Sequence, residues 1–207
     1  MTIHNHEYWM AKAIQLAKKG LYTTHPNPRV GCVLVKDDQL IGQGFHLKSG
    51  EAHAEVNALA DAQKNTLDTK GATAYVTLEP CSHQGKTPPC ADALIKAGIA
   101  RIVFGMQDPN LKKAGIEVIG PVQETECEAL NLGFIKRMRE GLPYIRVKLA
   151  MSVDGRTAME SGESQWITGN EARLDVQRLR AQSDAIVTGI VSVLTDNPSM
   201  TVRINND

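Results

Sequence analysis

Four side chains in this 207-residue chain have the types and order of a catalytic zinc site: His53, Glu55 two positions on, Cys81 after a hydrophobic run, and Cys90. One imidazole and two thiolates make three protein ligands and leave a fourth tetrahedral position for water, as in catalytic rather than structural zinc sites. Zinc brings the pKa of such a water to about 7. A carboxylate beside it, Glu55, would accept the proton and pass it to a ring nitrogen and a departing amine. The chemistry this implies is hydrolytic deamination of an amino-heterocycle, with Glu55 catalytic and His53, Cys81 and Cys90 holding the metal. Taken singly, a helix-borne His or Glu is usually a solvated or hydrogen-bonded side chain, and a pair of Cys is usually apolar filler. The joint order is what carries chemistry. A closed structural site would need a fourth ligand, and neither Cys32 nor Cys127 lies near a partner at ligand spacing.

The elements that must present these groups alternate along the chain. Apolar positions from Tyr8 to Lys19 recur at helical spacing and stop at Gly20, a normal C-cap residue. Val30–Val35 and Leu40–Phe45 flank Asp37-Asp38 and read as a β-hairpin. A helix is expected from Ala52 to Asp61, a strand from Ala72 to Leu78, a helix from about Pro88 to Ala97 ended by Gly98, and a strand from Arg101 to Gly105. On an ideal helix His53 and Glu55 would point about 200° apart, so both are expected at the first turn, with the helix N-terminus aimed at the metal. Helices and strands in this order make a three-layer α/β sandwich. The two halves of the zinc site would then come from two neighbouring helix N-termini, whose positive partial charge favours thiolate at Cys81 and Cys90. An amphipathic helix follows at about Thr125–Arg139, then the break Gly141-Leu-Pro143, a buried strand Tyr144–Ala150 and a turn at Ser152–Thr157.

Composition narrows the class. With 42% hydrophobic residues the chain is able to bury a core in one or two domains, and its 23 basic and 23 acidic residues give no basic footprint of a nucleic-acid binder. No apolar run has the length of a membrane span, and the polar start Thr2-Ile-His-Asn-His-Glu7 is no signal peptide. Four cysteines without a secretory context favour a reduced, cytoplasmic setting.

His53-Ala-Glu-Val56, Thr77-Leu-Glu-Pro-Cys-Ser-His83, Thr87-Pro-Pro-Cys90 and Pro26-Asn-Pro-Arg-Val-Gly-Cys32 resemble the bifunctional riboflavin-biosynthesis deaminase/reductase family of the cytidine-deaminase superfamily. The resemblance runs from Glu7 to Arg203. Nucleoside and tRNA deaminases place their cysteines as Cys-x-x-Cys, whereas eight residues separate them here, the mark of the riboflavin branch. The loop Ser82–Pro89 offers a cation, a hydroxyl and an imidazole beside the metal, suited to an anionic, polyhydroxylated substrate.

The resemblance implies a three-layer α/β/α cytidine-deaminase-like domain over residues 1–142 and the N-terminal portion of a dihydrofolate-reductase-like α/β domain over 143–207, which reads as incomplete. It implies two activities: zinc-dependent removal of the C2 amino group of 2,5-diamino-6-ribosylamino-4(3H)-pyrimidinone 5′-phosphate, then NADPH-dependent reduction of the ribosyl to the ribityl group. Deaminase substrate contacts fall on Asn27, His46, His83, Lys86, Thr87 and Asn110. Val147-Lys-Leu-Ala-Met-Ser-Val-Asp-Gly-Arg-Thr157, Gly162-Glu-Ser-Gln-Trp-Ile-Thr168 and Asp196-Asn-Pro198 carry the reductase resemblance. They place Ala150, Trp166, Ser192 and Asp196 at NADPH, and Lys148, Ser164, Arg180, Met200 and Arg203 at the reductase substrate. Trp166 alone reads as a nicotinamide platform or, more commonly, as core. No Gly-x-Gly-x-x-Gly follows a strand, so no Rossmann site is indicated. One departure stands out. After Asp108-Pro-Asn110 the family continues through a longer loop, whereas Leu111-Lys-Lys-Ala-Gly-Ile116 follows directly here, about ten residues shorter. A trimmed loop and a segment missing from the chain both account for it, and the second is favoured because Leu111–Gly115 resembles a helix end. The competing readings are a zinc deaminase of another nucleoside or tRNA base and a non-catalytic zinc-stabilised module; Glu55 argues against the latter, which has no use for a non-ligating carboxylate. Pairing with a copy of itself is compatible with all three.

Overall fold

The computed structural model describes residues 5–82, 88–107 and 117–204. The chain forms two compact units, Met1–Tyr144 and Ile145–Asp207.

In the first unit the two apolar runs pair as expected. Strands β1 (Gly31–Lys36) and β2 (Gln39–Phe45) form a hairpin whose two turn residues, Asp37 and Asp38, both have positive φ, the conformation that matches strand twist in a two-residue loop. A register shift between Leu34 and Val35 marks a bulge. Strands β3 (Thr73–Leu78), β4 (Arg101–Met106) and β5 (Glu117–Ile119) complete a mixed sheet in the order β2-β1-β3-β4-β5, with β1 antiparallel to β2 and β3, and β3, β4 and β5 parallel. Edge strand β5, three residues long and largely exposed, was not expected. It is too short to show a period.

Period-two alternation sorts the sheet's side chains onto two covered faces. Helix α1 (His6–Ala17), capped by the Asn5 side chain accepting from Tyr8 N–H at 2.9 Å, lies on the face of Gly31, Val33 and Tyr75. Helix α2 (Ala54–Lys64) lies on the opposite face, where Cys32 and Leu34 of β1 pair across from Gly44 and Gly42 of β2. The approach is close: a Cβ on Gly44 would stand 2.5 Å from both Ala54 O and Ala58 N. Helix α3 (Cys90–Lys96) connects parallel β3 to β4 and packs against α2. The three-layer sandwich expected from the sequence is therefore the fold of this unit. The core is aliphatic and continuous, with Met10, Leu34, Val76, Leu94 and Val103 fully buried.

Several boundaries differ from expectation. Helix α2 begins at Ala54, not Ala52, so His53 is its cap residue rather than part of its first turn. Pro89 caps α3 and Cys90 is its first residue. The single helix expected at Thr125–Arg139 is two, α4 (Glu124–Ala129) and α5 (Leu132–Glu140), broken at Leu130-Asn131. The cause is Asn131. Its buried amide is drawn out of the helical pattern to bond the backbone of Arg29 in both directions, 2.8 Å from Arg29 N–H and 3.0 Å to Arg29 C=O.

The second unit contains helices α6 (Asn170–Ala181) and α7 (Ile190–Asp196). Tyr144–Ala150, expected as a buried strand, joins no sheet among the described residues, and Ile145, Val147 and Leu149 are 76%, 78% and 65% exposed. A strand needs a neighbour for its backbone and a cover for its apolar face, and this run has neither among the described residues.

Candidate metal centre and active site

The α2 terminus shows how two residues that an ideal helix would point apart come to face one site. His53 has extended backbone angles (φ −74°, ψ 167°) and precedes the helix, whereas Glu55 lies in its first turn, 4% exposed. The cap geometry turns the imbalance of spacing into convergence. Cys90 opens α3, and Cys81 follows Pro80 in the loop leaving β3. Backbone bonds lock that loop onto the helix start: Cys90 N–H donates to Cys81 Sγ at 3.4 Å and Ala91 N–H to Cys81 C=O at 3.2 Å.

His53 Nδ1 lies 3.1 Å from Cys90 Sγ and 3.8 Å from Cys81 Sγ, and the three ligand atoms all fall within 4.8 Å of one another. Tetrahedral zinc with bonds of about 2.1 Å to nitrogen and 2.3 Å to sulfur separates its ligand atoms by roughly 3.5 Å. The observed spacings bracket that value, so the donor set fits zinc. Cys32 and Cys127 are buried elsewhere and do not join the group, as their sequence spacing indicated.

The four groups of the cluster shift one another's proton affinities. The Cys81 thiol is pulled down to about 4, first by the hydrogen bond from the Cys90 thiol and then by His53 and the Cys90 N–H, against the cost of burial. Cys90 is pushed strongly up by the same bond and by burial. His53 is raised, chiefly by its bond to Cys81. Glu55 is pushed up to about 7 by complete burial.

Of the expected substrate contacts, Asn27 is half-buried and presented by the loop between α1 and β1. His46 is 2% exposed, and both of its ring nitrogens are committed. Nδ1–H donates to Ala52 C=O at 3.1 Å, and Nε2 accepts from the Asn27 amide at 3.1 Å. That pattern requires the neutral ring, in keeping with the downward shift that burial imposes. His46 therefore links Asn27 to the residue just before His53, whose ring it meets edge-on at 5.3 Å between centroids. Ser49, which no motif singled out, donates its hydroxyl to Asn27 Oδ1 at 3.4 Å. His83, Lys86, Thr87 and Asn110, and the shortened stretch after Asn110, lie outside the described residues.

In the second unit Lys148, Ala150, Ser164, Trp166, Arg180 and Arg203 line one cavity of about 420 Å³. Trp166 is not core: it is 70% exposed, with the Arg173 guanidinium 4.3 Å above its ring. Arg180 and Arg203 converge on the carbonyls of Ser199 and Thr201. Ser192 and Asp196, exposed on α7, and half-buried Met200 are not part of this cavity's wall. Arg173 and Gln177 are, and neither was singled out from the sequence. Their i, i+4 spacing on α6 was the available signal.

A family model described as the cytidine and deoxycytidylate deaminase zinc-binding region matches residues 3–106. The chain belongs to that family. A second model, the RibD C-terminal domain, matches residues 143–207. The riboflavin biosynthesis protein RibD of Escherichia coli is 59% identical over 95% of this chain and 56% of its own length. That of Haemophilus influenzae is 54% identical over 94% of the chain and 54% of its own length. Among solved structures, RibD of Acinetobacter baumannii is 54% identical, with a TM-score of 0.89 over 98% of this chain and 59% of that one. A Thermotoga maritima diaminohydroxyphosphoribosylaminopyrimidine deaminase/5-amino-6-(5-phosphoribosylamino)uracil reductase is 43% identical, with a TM-score of 0.91 over 97% of this chain and 60% of that one. The resemblance read from the motifs thus holds along the chain, and the fold class is a deaminase-like α/β domain followed by RibD C-terminal-domain sequence. The chain spans about half the length of the curated relatives it matches. No helix among the described residues is long and apolar enough to cross a membrane.

Proposed function

We propose that the chain carries the deaminase of riboflavin biosynthesis, over residues 1–142, and the N-terminal portion of the partnering NADPH-dependent reductase, over residues 143–207. The observation that supports this reading above others is the buried Glu55 carboxylate set beside the His53–Cys81–Cys90 group at two converging helix starts. His53, Cys81 and Cys90 hold zinc, which when bound supplies the Lewis acidity that makes water nucleophilic at neutral pH.

The chain's own residues do the rest. The substrate is 2,5-diamino-6-ribosylamino-4(3H)-pyrimidinone 5′-phosphate, held by Asn27 and by His83, Lys86, Thr87 and Asn110, with His46 orienting Asn27 from behind. The Glu55 carboxylate takes one proton from the attacking water as its oxygen bonds to C2, and delivers it to the adjacent ring nitrogen. It then carries the second water proton to the exocyclic amine. The C–N bond breaks, ammonia leaves, and a carbonyl remains at C2.

In the second unit Ala150, Trp166, Ser192 and Asp196 contact NADPH, and Lys148, Ser164, Arg180, Met200 and Arg203 the ribosyl phosphate, supported by the cationic cavity that six of these nine residues line. Its four basic side chains, Arg173 included, suit phosphate groups. The setting is the cytoplasm, with neither nucleic acid nor membrane as partner.

The test is metal analysis coupled to ammonia release from the diaminopyrimidine ribotide. Glu55→Gln keeps its zinc and loses turnover by about 10²–10⁴-fold. Undiminished ammonia release from that variant would overturn the mechanism.

A further inference from the structure

The loop that carries Asn27 is fastened from outside by residues remote in sequence that the proposed chemistry does not use. Arg29 reaches back along its own loop, with Nε and Nη2 donating to Leu21 C=O at 3.1 and 3.0 Å, and Nη2 3.1 Å from His25 Nε2. Its Nη1 crosses to Leu130 C=O at 2.8 Å. Asn131, 1% exposed, bonds both the N–H and the C=O of Arg29. One helical turn and a half further on, Arg137 of α5 donates to Pro26 C=O at 3.2 Å. Four bonds therefore run from the α4–α5 pair to Pro26 and Arg29, the residues on either side of Asn27-Pro28.

We infer that Asn131 and Arg29, with Arg137 in support, form a positioning clamp by which the α4–α5 helix pair sets the Asn27 amide for substrate. This rests on the reading of Asn27 as a substrate contact. Two features favour positioning over bulk stability. The break between α4 and α5 falls at Leu130-Asn131, where the Asn131 backbone stays bonded to Glu128 C=O and Ile135 N–H while its side chain is turned onto the loop. The clamped loop also continues through Asn27 to His46, Ala52 and the His53 cap, so the metal ligand and the substrate contact share one frame. Asn131 holds the Arg29 backbone, and the Arg29 guanidinium separately ties Leu21 C=O to Leu130 C=O, so the loop's course depends on both fastenings.

Asn27 contacts substrate before and during the chemical step, so misplacing it weakens binding of ground and transition states alike and raises KM more than it lowers kcat. Three variants of the chain with zinc bound test this: Asn131→Ala, Arg29→Lys, and the exposed-surface change Arg137→Ala, which leaves the core intact. Steady-state ammonia release is measured beside zinc content and backbone amide exchange. Val103→Ala, in the sheet core away from the site, serves as the destabilised control. Asn131→Ala and Arg29→Lys are expected to raise KM about tenfold with kcat within about twofold, full zinc, and faster exchange at Asn27 N–H, which donates to Thr24 C=O at 2.8 Å. Arg137→Ala moves KM in the same direction by less. Val103→Ala lowers Tm and leaves KM unchanged.

An unchanged KM in all three clamp variants overturns the inference, as does an equal KM rise in Val103→Ala. If Asn131→Ala does not fold, Arg29→Lys and Arg137→Ala decide. If the unaltered chain releases no ammonia, the functional reading fails by itself. The clamp then stands or falls on whether exchange quickens at Asn27 in these variants and not in the control.

Discussion

Glu55 is the residue whose role and energetics are most tightly joined. Its carboxyl titrates at about 7 because burial penalises the charge, against about 4.5 in the unfolded chain. Between those values the folded state holds a proton that the unfolded state has lost, so this group's contribution to stability is fully present below pH 4.5 and is lost as pH rises through 7. Cys81 opposes it: its depressed affinity makes a contribution that is present at high pH and lost as pH falls toward 4. The two are separable by difference. In metal-free protein under chelator, Glu55→Gln is expected to gain stability over the parent as pH rises from 5 to 8, reaching about 3 kcal/mol. Chemical denaturation at a series of pH values measures it, and a flat difference would mean that the carboxylate is solvated. At this scale the sequence was legible where a residue type is scarce and its chemistry specific. His53, Glu55, Cys81 and Cys90 stood out because few chemistries need those four together. Ser49 and Asn131 did not, because a hydroxyl or amide finds its partner through tertiary folding, and 102 residues separate Asn131 from Arg29.

At the scale of elements, the placement of the metal ligands depends on how closely α2 lies on the sheet. Gly42 and Gly44 allow the contact: a Cβ at Gly44 would meet the Ala54 carbonyl, the Ala58 nitrogen and, at 2.8 Å, the Asn57 carbonyl carbon. All three are backbone atoms, so only movement of the whole helix relieves the clash, and His53 moves with it. Gly44→Ala is therefore expected to cost about 3 kcal/mol of stability and to weaken zinc affinity, whereas exposed Gln43→Ala beside it leaves zinc binding unchanged. Thermal melts and zinc titration against a chromophoric chelator measure both, and wild-type zinc affinity in Gly44→Ala would refute the coupling. The long elements were readable because their periods are strong. α1, the hairpin, β3 and β4 all lie within a residue or two of expectation. Sequence failed where tertiary contact overrides local pattern: the 3.6-residue period continues across α4 and α5, yet Asn131 is pulled out to Arg29 and splits the helix.

Across the whole molecule the two units differ in kind. The first has a mixed five-stranded sheet covered on both faces, and its metal-ligand cluster sits where two helices begin. Among its described residues the second has two helices and an exposed apolar row, Ile145, Val147 and Leu149, whose alternation is that of a strand with one covered face. The alternation suggested a buried strand that does not form among the described residues, because pairing is a property of partners, which a local window does not contain. A segment with exposed backbone and few buried contacts opens at low free-energy cost, and every residue from Gly141 to Leu149 is exposed. Brief trypsin treatment of the zinc-loaded chain should therefore cut first at Arg146 or Lys148. Mass spectrometry should then show a product ending there that retains His53, Glu55, Cys81 and Cys90. Because the zinc ligands, Glu55, Asn27 and the Arg29–Asn131 contacts all precede the cut, that product should keep stoichiometric zinc and release ammonia at a rate within about twofold of the uncut chain. Protection of Arg146 and Lys148 would show that the row is covered in solution. Loss of zinc on cleavage would show that the first unit does not hold its site alone.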